Sequence, residues 1–158
     1  MREFDHLRDI FQAALERIDP YRMLVDHVHL DGHTLVVAFE NERHEVDLNA
    51  FDRVLVLGAG KASARMARGL EDILGERISG GLISVKYGHA EPLSRVEVAE
   101  SGHPTPDENG EHAARRMAAL AQGLDARALV LNLVSGGGSA LLPCPLVLDR
   151  EGVRLTLA

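Results

Sequence analysis

The apolar positions of the chain fall into two textures. Over residues 2–18, Phe4, Leu7, Ile10, Phe11, Ala14, Leu15 and Ile18 recur at three- and four-residue spacing, the period of an amphipathic helix. Asp19-Pro20 ends that helix, because the residue before a proline is pushed out of the helical region. VDHVHLDGHTLVVAF (residues 25–39) then alternates apolar and polar on both sides of Asp31-Gly32, the pattern of a tight hairpin. Residues 41–48 read as a short third strand. Residues 1–50 are therefore expected to form a helix and a small antiparallel appendage.

From Phe51 the texture changes. VLVLG (54–58), GLISV (81–85), VEVAES (96–101) and ALVLNLV (128–134) are short apolar runs of strand type, the last reading as fully buried. Between them, residues 61–74 and 107–124 carry helical periodicity, with Met66, Leu70, Ile73 and Leu74 on one face of the first helix. Strands alternating with helices predict an α/β fold, a three-layer sandwich around a mainly parallel, doubly wound sheet. Residues 51–158 form this second unit. The pattern LVLDREGVRLTLA (146–158) breaks off among apolar positions, so the chain reads as the front piece of a longer protein.

Composition narrows the function. The net charge is −7 and no Lys/Arg cluster stands out, which argues against an electrostatic nucleic-acid partner. The single cysteine, Cys144, excludes an internal disulfide framework. The charged N-terminus lacks a signal-peptide core, and no apolar run approaches the ~20 residues of a membrane span. A cytoplasmic protein is expected.

The candidate chemistry lies where strands end. In a doubly wound sheet, ligands bind outside the carboxyl ends of the strands. After 128–134 comes Ser135-Gly136-Gly137-Gly138-Ser139. Glycines admit positive φ, and a backbone free of side chains can turn its N–H groups toward one anion. A helix opening at Ala140 would add its dipole. After 54–58 comes Gly58-Ala59-Gly60-Lys61-Ala62-Ser63, which imitates the start of a dinucleotide fingerprint. The next strand ends in Ser84-Val85-Lys86, with no carboxylate for a ribose. Lys61, in the first turn of its helix, adds a cation to an already electropositive end. That placement makes sense if an anion arrives.

Two further loops sit at strand ends, Lys86–His89 and Ser101–Pro106. In the latter, Thr105 and Glu108 spell a capping box with Pro106 at the first helical position, and His103 stands exposed before it. His27 and His29 share one strand face, but no carboxylate or cysteine stands in register to complete a metal site, and they read, with His33, as surface histidines. Lys61, Gly58, Gly60, His103 and Ser135–Ser139 thus describe an anion-binding cleft. No Ser-His-Asp or Cys-His set is apparent.

GAGKAS (58–63), YGH (87–89), SGHPTPDENG (101–110) and LVSGGGSALLPCP (133–145) follow one another in an order that resembles class II glycerate kinases. These are the glycerate 2-kinases, formerly labelled hydroxypyruvate reductases. The resemblance implies transfer of the γ-phosphoryl group of ATP, with Mg2+, to the 2-hydroxyl of D-glycerate, giving 2-phosphoglycerate. It implies a Rossmann-like N-terminal domain, Lys61 as an active-site residue and Ser135–Ser139 as lining of the cleft. The metal ligands and a second, closing domain would lie outside this chain, so the chain alone is expected not to turn over. A homodimer is compatible with the sequence. Two other readings stand beside this one: an NAD(P)H-dependent hydroxypyruvate reductase and a non-catalytic sugar-phosphate binding module.

Overall fold

The structure, a computed structural model, describes residues 2–143. Cys144 and the apolar pattern of 146–158 lie outside the described residues. Helix α1 spans Arg2–Arg17 and α2 spans Pro20–His27. An antiparallel sheet follows, with β1 at Val28–Asp31, β2 at Thr34–Phe39 and β3 at Glu42–Asp47, in the order β1-β2-β3. Next come β4 at Arg53–Ala59, α3 at Ser63–Leu74, β5 at Gly80–Lys86 and β6 at Glu97–Ser101. Helix α4 occupies Glu108–Gln122 and β7 occupies Ala128–Val134.

Asp19-Pro20 ends one helix and also starts another. The Asp19 carboxylate accepts from the Arg22 N–H at 3.0 Å, and Pro20 occupies the first turn, where its missing N–H costs nothing. The alternating strand therefore begins at Val28, not Val25. His27 closes α2, so it shares no strand face with His29, contrary to the sequence reading. Its ring meets Phe39 edge-on at 5.0 Å between centroids. Asp31 pairs with Thr34 across the turn, as the Asp-Gly signal predicts.

The four apolar runs of the second texture form one parallel sheet in the order β6-β5-β4-β7. Alternation within each strand separates two cores. Val54, Val56, Ile83 and Val85 face α3, meeting Ala64, Ala67, Leu70 and Leu74. Leu57 and Leu82 face the other way, onto Met117 of α4. With helices on both faces, the unit is the three-layer sandwich that the alternation predicts. Leu24, Leu35 and Leu48 of the N-terminal part join the same cluster as Val54 and Val56. The small sheet and α2 thus extend the α3-side core.

Strand β7 departs from the reading of a fully buried strand. It is the outer strand on its side of the sheet, and Val130 and Val134 are 37% and 63% exposed. The apolar run reports the strand's type correctly but not its place, because a continuous pattern carries no information about how many neighbours the strand has.

Candidate active site

The chain turns outward from β4 in two directions: toward β5 and β6 on one side, and toward β7 on the other. The gap between the carboxyl ends of β4 and β7 is therefore the topological switch point, where doubly wound sheets bind ligands. The turns after these two strands are locked together. The Ser135 N–H donates to the Ala59 carbonyl at 3.2 Å, and the Ser135 hydroxyl accepts from the Ala62 N–H at 3.3 Å. Gly60, at φ +140°, turns its α-carbon toward Ser135, and a β-carbon there would stand 2.0 Å from Ser135 Oγ. Glycine is required at position 60 both by conformation and by space.

The glycine turn is asymmetric. Gly138 packs closely on the Ala59 carbonyl. Gly137, at φ +82°, lies beneath His103, whose Nε2 would stand 3.1 Å from a β-carbon at that position. A β-carbon on Gly136 would meet nothing, and Gly136 and Ser139 are exposed. Two of the four loops, those of His103 and of the glycine turn, are thus in contact. After Gly137 the chain forms a 3-10 turn over Gly138–Leu141. No α-helix opens at Ala140, so the expected helix dipole is absent from this side.

Lys61 is exposed and precedes α3 by two residues, rather than sitting in its first turn; the chain needs the turn at Gly60–Ala62 before regular helix begins. Helix α3 has no capping side chain and no acidic residue in its first turn. Helix α4 has the Asp107 cap together with Glu108 and Glu111. The start of α3 is therefore left with its positive end unopposed by any side chain of its own, and Lys61 adds to it. Lys61 lines a cavity of about 350 Å3 with Gly88, His89 and Arg65. Glu91 lines the same cavity, but its carboxylate and that of Asp19 are engaged by Arg65, at 3.2 Å and 2.7 Å, and among the described residues no carboxylate forms an ion pair with Lys61.

The capping box at Thr105 is not used. Asp107 caps α4, its Oδ1 accepting from the Gly110 N–H at 3.0 Å, and Pro106 lies before the cap. The same carboxylate accepts from the Tyr87 hydroxyl at 2.6 Å. That hydroxyl bond, with backbone N–H groups of Gly102, Gly110 and Asn109, holds the Asp107 carboxyl below the usual range, and Asp107 in turn pushes the Tyr87 phenol up. Asp107 wins over Thr105 because it serves the helix end and the neighbouring loop at once. Loops 86–89 and 101–106 are thereby joined.

Three serines that the sequence reading passed over are fully buried: Ser63, Ser84 and Ser101. Ser63 Oγ donates to the Leu133 carbonyl at 3.0 Å. Ser84 Oγ donates to the Leu141 carbonyl at 2.5 Å and shares a 2.8 Å hydrogen bond with Ser101 Oγ. These hydroxyls fasten the strand before the glycine turn and the residues after it. For Ser84 the signal was a serine among the apolar residues of a strand, GLISV, where an unpaired hydroxyl would be costly.

Residues 6–156 match the family described as a domain of unknown function, DUF4147. The chain belongs to the DUF4147 family. A D-glycerate 2-kinase of Thermotoga maritima is 45% identical to this DUF4147 chain over 105 residues, 66% of the chain and 24% of the relative. A putative hydroxypyruvate reductase of Agrobacterium vitis is 38% identical over 139 residues, 88% of the chain and 28% of the relative. A solved structure of a Pyrococcus horikoshii protein superposes with a TM-score of 0.79 at 32% identity, covering 95% of the chain and 34% of that structure. The DUF4147 chain thus spans about a quarter of the length of the curated relatives it matches. Among the described residues, no helix is long and apolar enough to cross a membrane, and no three His, Cys, Asp or Glu side chains cluster to hold a metal.

Proposed function

We propose that this chain forms the anion-binding wall of a cytoplasmic glycerate 2-kinase, and that the phosphoryl groups of ATP and the carboxylate of D-glycerate meet at the switch point between β4 and β7. Phosphoryl transfer asks a protein mainly for positioning and neutralisation of charge. The carrying observation is the interlock of Ser135 with Ala59 and Ala62, which fastens the turn that continues into Gly136 to the residue that follows Lys61, at the uncapped start of α3. The N–H groups at Gly136–Gly138 receive an anionic oxygen. Lys61 neutralises the substrate carboxylate or the transferring phosphoryl group. His103, over Gly137, contacts a substrate hydroxyl. Among the described residues no three His, Cys, Asp or Glu side chains cluster, and the protein ligands of Mg2+ are assigned to the relatives' additional length. The relatives' additional length supplies the closing domain, so the chain alone binds without turning over.

The reductase reading gains nothing from the geometry. Strand β5 ends in Lys86 and runs into Tyr87, where a nicotinamide dinucleotide site needs a carboxylate for the ribose. The test is an assay of this chain joined to the remaining length of a glycerate 2-kinase relative. D-Glycerate-dependent appearance of 2-phosphoglycerate by phosphorus NMR supports the proposal. Oxidation of NADH by hydroxypyruvate with no phosphoester formed rejects it.

A further inference from the structure

A second cavity, of about 410 Å3, borders the Lys61 cavity and shares Pro20 and Ala62 with it. Its wall is almost wholly apolar, built by Met23 and Leu24 of α2, Met66 of α3, Val28 and Val134, and its polar edge is Ser135. The two cavities differ in character along one cleft. One end is apolar and edged by Ser135, where the glycine turn begins; the other holds Lys61 beside the Arg65–Glu91 ion pair. A ligand that fills both has a flat or bulky apolar part joined to an anionic part. Nothing in the proposed function requires the apolar end for glycerate, which is small and polar throughout.

We propose that this apolar cavity seats the base of the nucleotide phosphoryl donor; the inference rests on the kinase reading above. Its place beside the β4–β7 switch point is where a doubly wound sheet takes a nucleotide. Ser135, which edges it, also starts the turn proposed to hold phosphate, so base and phosphate lie within one ligand's reach. Methionine side chains suit such a seat, because their flexible thioethers conform to a ring and make favourable contacts with its edge. Met23 is 48% exposed at the mouth of the cavity, so it is not committed to the core.

The test uses the unaltered chain with its methionine methyl groups labelled with carbon-13. ATP should shift the Met23 and Met66 methyl signals by ring current, and inorganic tripolyphosphate should not. Met117, on the opposite face of the sheet, should remain unmoved by either. In calorimetric titrations, Met23→Gln with Met66→Gln changes no charge and should weaken ATP by about tenfold or more, the scale of one stacked base, while leaving tripolyphosphate unaffected. Equal shifts with both ligands, no shift at Met23 and Met66, or a shift at Met117 would place the base elsewhere and overturn the inference while leaving the phosphate site standing. A chain that binds neither ATP nor tripolyphosphate rejects the kinase reading itself, and the base site with it.

Discussion

The Ser84 hydroxyl, fully buried at the end of β5, donates to the Leu141 carbonyl at 2.5 Å. The two residues are 57 positions apart in the chain, and this bond ties the far side of the glycine turn to the sheet's interior. Ser101, from β6, completes the pair through its own hydroxyl. The turn at 135–141 is thus an anchored structure, with Ser135 fixed at one end and Leu141 at the other.

Ser84→Ala leaves the Leu141 carbonyl without that partner in a buried place. A loss of about 1–3 kcal/mol of stability is expected, read from urea midpoints. Amide hydrogen exchange should quicken at Gly138–Leu141 more than in β4. Equal quickening in both would mean that the bond serves global stability alone.

Gly136 and Gly137 should respond differently to alanine. Gly136→Ala meets open space and should leave the melting temperature within the range of ordinary surface changes, about ±0.5 kcal/mol in stability, yet weaken phosphate-type ligands by narrowing their approach. Gly137→Ala forces a side chain to φ +82° against His103 and should lower stability as well as binding, since a non-glycine residue held there costs on the order of 1 kcal/mol. Thermal melts paired with ATP titrations check both. Undiminished binding in Gly136→Ala would show that no ligand uses that space.

The Asp107 carboxyl is held below its ordinary value, first by the Tyr87 hydroxyl and then by backbone N–H groups. In this range the unfolded chain binds more protons than the folded one, so stability rises with pH. The contribution is complete above the unfolded value of about 3.9 and is lost as pH falls through the depressed folded value. Asp107→Asn should therefore cost most near neutrality, and the gap from wild type should close on acidification. A gap in the urea midpoint that stays constant down through that acid range would mean that Asp107 is not ionised by these partners.

The sheet was legible because each strand announces itself locally. Val54–Gly58, Gly81–Val85 and Ala128–Val134 are short apolar runs bounded by turn residues, and all three pair as parallel neighbours of one sheet. Helix α2 was hidden because its eight residues hold too few turns for a period to emerge, and His27-Val28-His29 continues the alternation of β1 backward into it. The glycine turn was visible as a turn. Its anchoring was not, since Ser84, Ser101 and Ser135 act through contacts 17 to 73 residues distant in sequence. Lys61 stood out as a candidate by its place after a strand, while its cavity with Gly88 and His89 needed the fold to bring β5's loop across.

The most direct measurement of the anion site is calorimetric titration of the chain with ATP and with D-glycerate, comparing wild type with Lys61→Met. This substitution keeps most of the side-chain stem and removes the charge. Hydrogen bonds to charged groups contribute about 1.5–3 kcal/mol, so affinity for at least one of the two ligands should fall by about tenfold to a hundredfold, with the melting temperature unchanged or slightly raised. Equal affinities of wild type and Lys61→Met for both ligands would mean that Lys61 is a surface residue that meets neither anion.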